Sequence, residues 1–279
     1  MLRPFIPLAL NRLWNCRSRT GGGGCVAHWC FVFLATLCVR PAIAETGKPE
    51  EKNAAIRELG PVPESLKRLS PAGEVWVDLK RKLVVVDGVV ALRDGVLEMF
   101  ACPKNTKEHE AVVAVNATAQ LVHTGLLAVG AIPGHPVQFE PTYKAASGPE
   151  VEIWVLWIDA AGRQQKVRAQ EWVKELKSGK PMSQPWVFAG SGFWRDETVG
   201  KEYYMGDAGD LICVSNFPSA TLDVPVKSSQ ENSDLVFTAF AEHIPPSGTK
   251  VRLVLIPKLE AAKGPASDAG VPKAAVPKP

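Results

Sequence analysis

No apolar stretch in this sequence reaches the length of a comfortable membrane helix. The longest, Cys25–Val39 (CVAHWCFVFLATLCV), falls short of the ~20 residues that a bilayer core requires. No internal repeat is visible, so nothing argues for a repeat array. Acidic residues are missing from the first 44 positions, which carry five arginines: Arg3, Arg12, Arg17, Arg19 and Arg40. Cysteine is concentrated in the same place. Of six, Cys16, Cys25, Cys30 and Cys38 lie there, leaving Cys102 and Cys213 for the rest of the chain. Two thiols cannot supply the four thiolates of an ordinary iron–sulfur cluster.

A basic start, a short apolar run and Ala42-x-Ala44 together describe an export signal over residues 1–44. Membrane attachment enters only if that leader stays as an anchor. Cleavage after Ala44 takes five of the 32 basic residues, leaving 27 against 29 acidic ones and a net charge near −2. A near-neutral body lacks the concentrated basic surface that nucleic acid requires. The expected destination is the periplasm or the extracellular space.

Residues 45–74 are polar and proline-broken, which predicts a linker or arm. Residues 258–279 are an Ala/Pro/Lys tail expected to be disordered. Between them, residues 75–257 form one domain or two packed halves. Asp87-Gly88 and Asp94-Gly95 separate apolar, β-branched runs, the pattern of hairpin turns. Ala117–Gly130 predicts a helix capped by Asn116 and apolar on nearly every face, hence buried. Ala169, Trp172, Val173 and Leu176 stand at i, i+3, i+4 and i+7, predicting a short amphipathic helix that stops at Gly179-Lys180-Pro181. Val151–Asp159 reads as a central strand, and six later segments up to KVRLVLIP read as strands. The expected class is α+β: a mixed, mostly antiparallel sheet with one buried helix and one short amphipathic helix.

Two strings carry a resemblance. GVLEMFACPKNTKEHEAVVAVNATAQLVHTGLLAVGAIPGHPV, with KEHEAVV at its centre, and GDLICVSNFPSATLDVPVKSS are similar to the YdjY-type domain of exported bacterial proteins. The resemblance covers about Glu74 to Pro257. It implies an architecture and no established activity.

The chemistry-bearing residues are few. His109 lies between Glu108 and Glu110, and period-2 alternation would send the imidazole to one face and the glutamates to the other. No second histidine follows four residues on, so this is not the helical zinc-protease motif. Cys102, His109, His123 and Cys213 form a candidate metal or thiol site, with zinc or copper as the ions that suit such a set. A Cys102–Cys213 disulfide is the default arithmetic for an exported domain with two thiols, and two buried, unpaired thiols acting as small hydrophobes are the other structural reading. His123, amid Leu121, Val122, Leu126 and Leu127, also reads as a satisfied core residue. His135 and His243 read as turn residues. Ser191 in AGSGFW does not match the nucleophile-elbow motif, and Asp207 and Asp210 read as turn residues with too few oxygens for calcium. Asn216 and Ser219 read as loop-satisfying groups. Six tryptophans remain beyond the leader, read as core packing with a Trp-lined carbohydrate or peptide groove as the alternative. The function expected from all this is a non-enzymatic exported domain that binds or scaffolds an envelope protein or small ligand. The alternative is a metal- or thiol-dependent activity using Cys102, His109 and His123.

Overall fold

A computed structural model describes residues 58–227 and 236–259. The expected leader, residues 45–57 of the arm and the tail beyond residue 259 lie outside the described residues. The first strands are β1 (Lys67–Arg68), β2 (Val75–Asp78), β3 (Leu83–Val90), β4 (Met99–Pro103), β5 (Ala111–Val115), β6 (Glu150–Ile158) and β7 (Gln164–Arg168). Then come β8 (Val173–Glu175), β9 (Trp186–Phe188), β10 (Phe193–Asp196), β11 (Lys201–Tyr204), β12 (Ile212–Cys213), β13 (Leu222–Asp223), β14 (Phe237–Ala239) and β15 (Lys250–Pro257). One α-helix, α1 (Ala119–Ala128), is present among the described residues.

Strict alternation makes β15 and β6 a half-buried pair. Val251, Leu253 and Leu255 point into the core while Arg252, Val254 and Ile256 face outward, and Val151, Ile153 and Val155 do the same on β6. The two strands pair antiparallel from Val251↔Trp157 to Pro257↔Val151. From this pair the sheet runs β3-β15-β6-β9-β13-β12-β4-β5, and β5 then pairs back onto β3 through Gly88↔Val115 and Val90↔Val113. Eight strands therefore close into a barrel, which removes the free edges that an open sheet would expose. A barrel of this size is filled by its own side chains, here including Val86, Phe100, Val113, Ile153, Phe188 and Leu253.

The expected α+β class is thus corrected: strand outweighs helix 38% to 11%, and the fold is a mostly β closed barrel. Part of the reason lies at Ala169–Leu176. Ala169–Trp172 make a 3-10 turn and Val173–Glu175 continue as β8, paired with β14 through Val173↔Ala239. An i, i+3, i+4 spacing fits a turn followed by a strand as well as a helix, and a partner more than 60 residues away decides between them. The Asp87-Gly88 hairpin is also corrected. Both residues lie inside the continuous strand β3, where a Cβ on Gly88 would stand 2.5 Å from the Ala114 carbonyl oxygen. Glycine is needed there for the close approach that closes the barrel, not for a turn.

Helix α1 starts two residues later than expected, with Thr118 rather than Asn116 accepting from the Leu121 amide at 3.2 Å. It buries one stripe, Ala119, Val122, Gly125 and Leu126, and leaves Gln120, Thr124 and Leu127 exposed. The expectation of burial on nearly every face is corrected accordingly. Val122 and Leu126 are fully buried, each contributing about 1.5–3 kcal/mol. Gly125 sits against the barrel wall, where a Cβ would lie 3.0 Å from Val84 Cγ1. This close packing offsets the ~1 kcal/mol that glycine costs inside a helix. Residues of the arm lie along the outside: β1 pairs with β2, and Lys250 Nζ meets Glu58 Oε1 at 2.5 Å.

Candidate functional site

Two of the barrel's strand pairs are parallel, β4 with β5 and β12 with β13. Parallel neighbours usually need a connection of a dozen residues or more. Here residues 104–110 and 214–221 suffice, so both connections are tight returns beside the barrel wall. They meet: Lys107 of the first places Nζ 4.7 Å from the ring centroid of Phe217 in the second. KEHEAVV and ICVSNFPSA overlap these returns.

Lys107 is the hub. Its Nζ donates to Asp210 Oδ1 at 2.9 Å and lies 3.8 Å from Glu98 Oε2. Ser219 donates to the other Asp210 oxygen, Ser191 Oγ donates to the Ser219 carbonyl at 2.7 Å, and Ser191 Oγ accepts from the Gly206 amide at 3.1 Å. On the far side Glu98 shares a hydrogen bond with Glu110, and His109 Nε2 stands 3.5 Å from Glu110 Oε1. Burial, then the Glu110 hydrogen bond and charge, push the Glu98 carboxyl up to about 7, so Glu98 holds a proton below neutrality. Burial works against the Lys107 ammonium, but Asp210 and Glu98 more than offset it and raise its pKa.

The expected residues scatter around this network. Cys102 and Cys213 are free, fully buried thiols in one small apolar cluster with Met99, Ala111 and Ala220. Burial pushes both thiols up, Cys213 well up. His109 occupies a 3-10 turn rather than a strand, with its side chain mostly exposed. His123 lies elsewhere, its Nδ1 2.8 Å from Tyr204 Oη and its ring edge-on to Phe188 at 4.9 Å. Burial lowers its pKa, and Tyr204, whose hydroxyl donates to Gly190 at 3.0 Å, is raised to about 12 by burial. Among the described residues no group of three or more His, Cys, Asp or Glu could hold a metal ion. His135 is exposed, and His243 stacks on Phe240 at 3.8 Å.

Beside the Asp210–Ser219 contact opens a groove of about 670 Å³, within the ordinary range for small-molecule sites. Its wall is the hairpin β10–β11, where Trp194 pairs across the strands with Tyr203. The two rings stack at 5.7 Å with 29° between their planes, and both are exposed, 55% and 40%. The floor carries Asp207 and Asp210. Sequence reasoning passed over β10. The signal was available, since aromatic residues flank Asp196–Gly200, which turns through Gly200 at φ 64°. Of the other tryptophans, Trp172 and Trp186 are fully buried and Trp157 lies 5.2 Å from Trp172, whereas Trp76 and Trp154 are half-buried, with Arg68 and Lys166 over their rings.

Neither a curated protein nor a solved structure matches this chain. The model of the YdjY domain matches residues 75–256, from β2 through all but the last residue of β15, which takes in the eight barrel strands except Pro257, both tight returns and the aromatic hairpin. By that match the chain belongs to the YdjY domain family.

Proposed function

We propose that this is an exported, non-enzymatic domain that binds a small ligand in the groove between the β10–β11 hairpin and the Lys107–Asp210–Ser219 network. Export is supported by the basic, acid-free start, the short apolar run and Ala42-x-Ala44. One observation carries the binding role: two aromatic rings are held stacked and exposed beside Asp207 and the buried Asp210–Ser219 contact. Exposed large aromatics cost solubility unless something covers them. Stacking fixes both rings before anything binds, which reduces the ordering cost of association.

The floor is arranged to hold, not to react. Ser219 faces a carboxylate already tied to an ammonium, so no free base stands ready to activate its hydroxyl. The thiol- or metal-dependent alternative centred on Cys102, His109 and His123 has no such support. The thiols are sealed in an apolar cluster, and the two histidines bond to different neighbours.

The test is native mass spectrometry of the full chain, purified gently after export. A small molecule should remain bound and be lost from Trp194→Ala and Tyr203→Ala variants that keep the parent far-ultraviolet circular dichroism. A ligand retained equally by both variants would place the site elsewhere. Turnover that depends on Cys102 or His123 would replace binding with catalysis.

A further inference from the structure

Resting on the groove as the ligand site, the charge arrangement of its floor narrows what it can hold. Asp210 is neutralised by Lys107 at 2.9 Å and by the Ser219 hydroxyl. Asp207 Oδ1 accepts the Gln120 amide at 2.9 Å, in the first turn of α1, where the helix dipole favours a negative group. Both carboxylates are thus compensated by the protein itself, and a cation gains little by adding to them. An anion meets two carboxylates. The favoured ligand is therefore uncharged.

Hydrogen-bond sense narrows it further. The floor offers oxygen acceptors, because the Ser219 proton is engaged by Asp210 and the Tyr204 proton by Gly190. Among the described residues Asp207 Oδ2 makes no hydrogen bond to the protein. Acceptors of this kind select a ligand rich in hydroxyl donors. The wall offers the opposite character: the Trp194 and Tyr203 faces are flat and apolar. A molecule with one apolar face and a rim of hydroxyls fits both.

We propose that the groove binds an uncharged saccharide, one ring face lying on the exposed face of Trp194 and a hydroxyl donating to Asp207. A volume of about 670 Å³ and its open form suit a segment of an oligosaccharide rather than an enclosed monosaccharide.

Isothermal titration of the full chain tests this with maltohexaose, cellohexaose and N-acetylchitohexaose, against glucosamine hexamer and tetramethylammonium chloride as cationic probes. At least one uncharged oligosaccharide should bind, weakened about tenfold or more by Trp194→Ala, as for truncation of an aromatic anchor, and largely retained by Trp194→Phe. Asp207→Asn should weaken the same oligosaccharide while keeping the parent far-ultraviolet circular dichroism. Failure of all three uncharged oligosaccharides overturns the assignment. So does binding that Trp194→Ala leaves intact, or a dimer in solution that buries Trp194 and Tyr203 against a second copy. If only a cationic probe binds and Trp194→Ala abolishes it, the saccharide assignment fails while the groove stands as the ligand site. If a co-purified ligand survives Trp194→Ala, the groove itself fails.

Discussion

Replacing Asp223 with asparagine should change how stability depends on pH more than it changes stability at any one pH. Asp223 is fully buried on β13. Its Oδ1 accepts from the Val224 amide at 2.7 Å and Asn216 Nδ2 at 3.3 Å, while Oδ2 has no partner. Burial outweighs those bonds and raises the carboxyl from an ordinary value near 3.8 to about 7. The folded state therefore holds a proton between pH 4 and 7 that the unfolded chain releases. Because the folded pKa is raised, the stability linked to this group is fully present below about pH 4 and is lost as pH climbs to about 7. At ~1.4 kcal/mol per pH unit, the loss between pH 5 and pH 8 is on the order of 3 kcal/mol. Asparagine keeps the Oδ1 acceptor and removes the charge. It also buries amide protons where Oδ2 had no partner, a cost of about 1–3 kcal/mol at every pH. Urea unfolding followed by tryptophan fluorescence should show the variant less stable than the parent at pH 4 and equal or better at pH 8. Glu98, also raised to about 7 by burial and by Glu110, gives the parent a second slope of the same sign that Asp223→Asn leaves in place. A constant difference between parent and variant from pH 5 to pH 8 would refute the assignment of a protonated Asp223.

Further outcomes follow from the same contacts. Lys107→Met leaves Asp210 and Glu98 facing each other without a cation; since Lys107 is partly exposed, thermal or urea unfolding should register about 2–3 kcal/mol, below the full value for a buried pair. Gly88→Ala pushes a methyl to 2.5 Å from the Ala114 carbonyl oxygen and should destabilise by about 1–3 kcal/mol through overpacking, whereas Gly179→Ala meets nothing within 4 Å and strains only its left-handed backbone. Cys102 and Cys213 should resist N-ethylmaleimide in the folded protein and both react once it is unfolded, as peptide mass mapping would show. Rapid labelling of either in the native state would contradict their burial and raised pKa values.

How far residues alone disclose this molecule depends on the range of the interaction. β6 and β15 were legible because their alternation is local and complete. The α1 helix was legible for the same reason, with its cap misplaced by two residues because Asn116 and Thr118 both carry a capping oxygen. Barrel closure was not legible. It depends on β5 returning to β3 at Gly88, and the Asp-Gly pair there mimics a turn. The strand β8 was hidden by a spacing that also fits a helix, and only β14 reveals it. The candidate site was half visible. Attention to the 102–113 segment found the right loop, but its cysteine and histidine drew the eye from Lys107, which does the bridging. Glu98 and Asp210, more than 100 residues apart in sequence, meet at that lysine only through the two parallel returns. Trp194 reads as core packing from sequence because its exposure depends on the β10–β11 hairpin.

The central claim is that ligand binding belongs to the aromatic groove and not to the cysteines and histidines. Amide chemical-shift mapping tests it most directly, with the isotope-labelled full chain titrated by the small molecule that co-purifies or by a bound oligosaccharide. The shifts should cluster at Trp194, Tyr203, Asp207, Asp210 and Ser219. Shifts centred on Cys102, Cys213 and His123, with the β10–β11 hairpin unmoved, would contradict it.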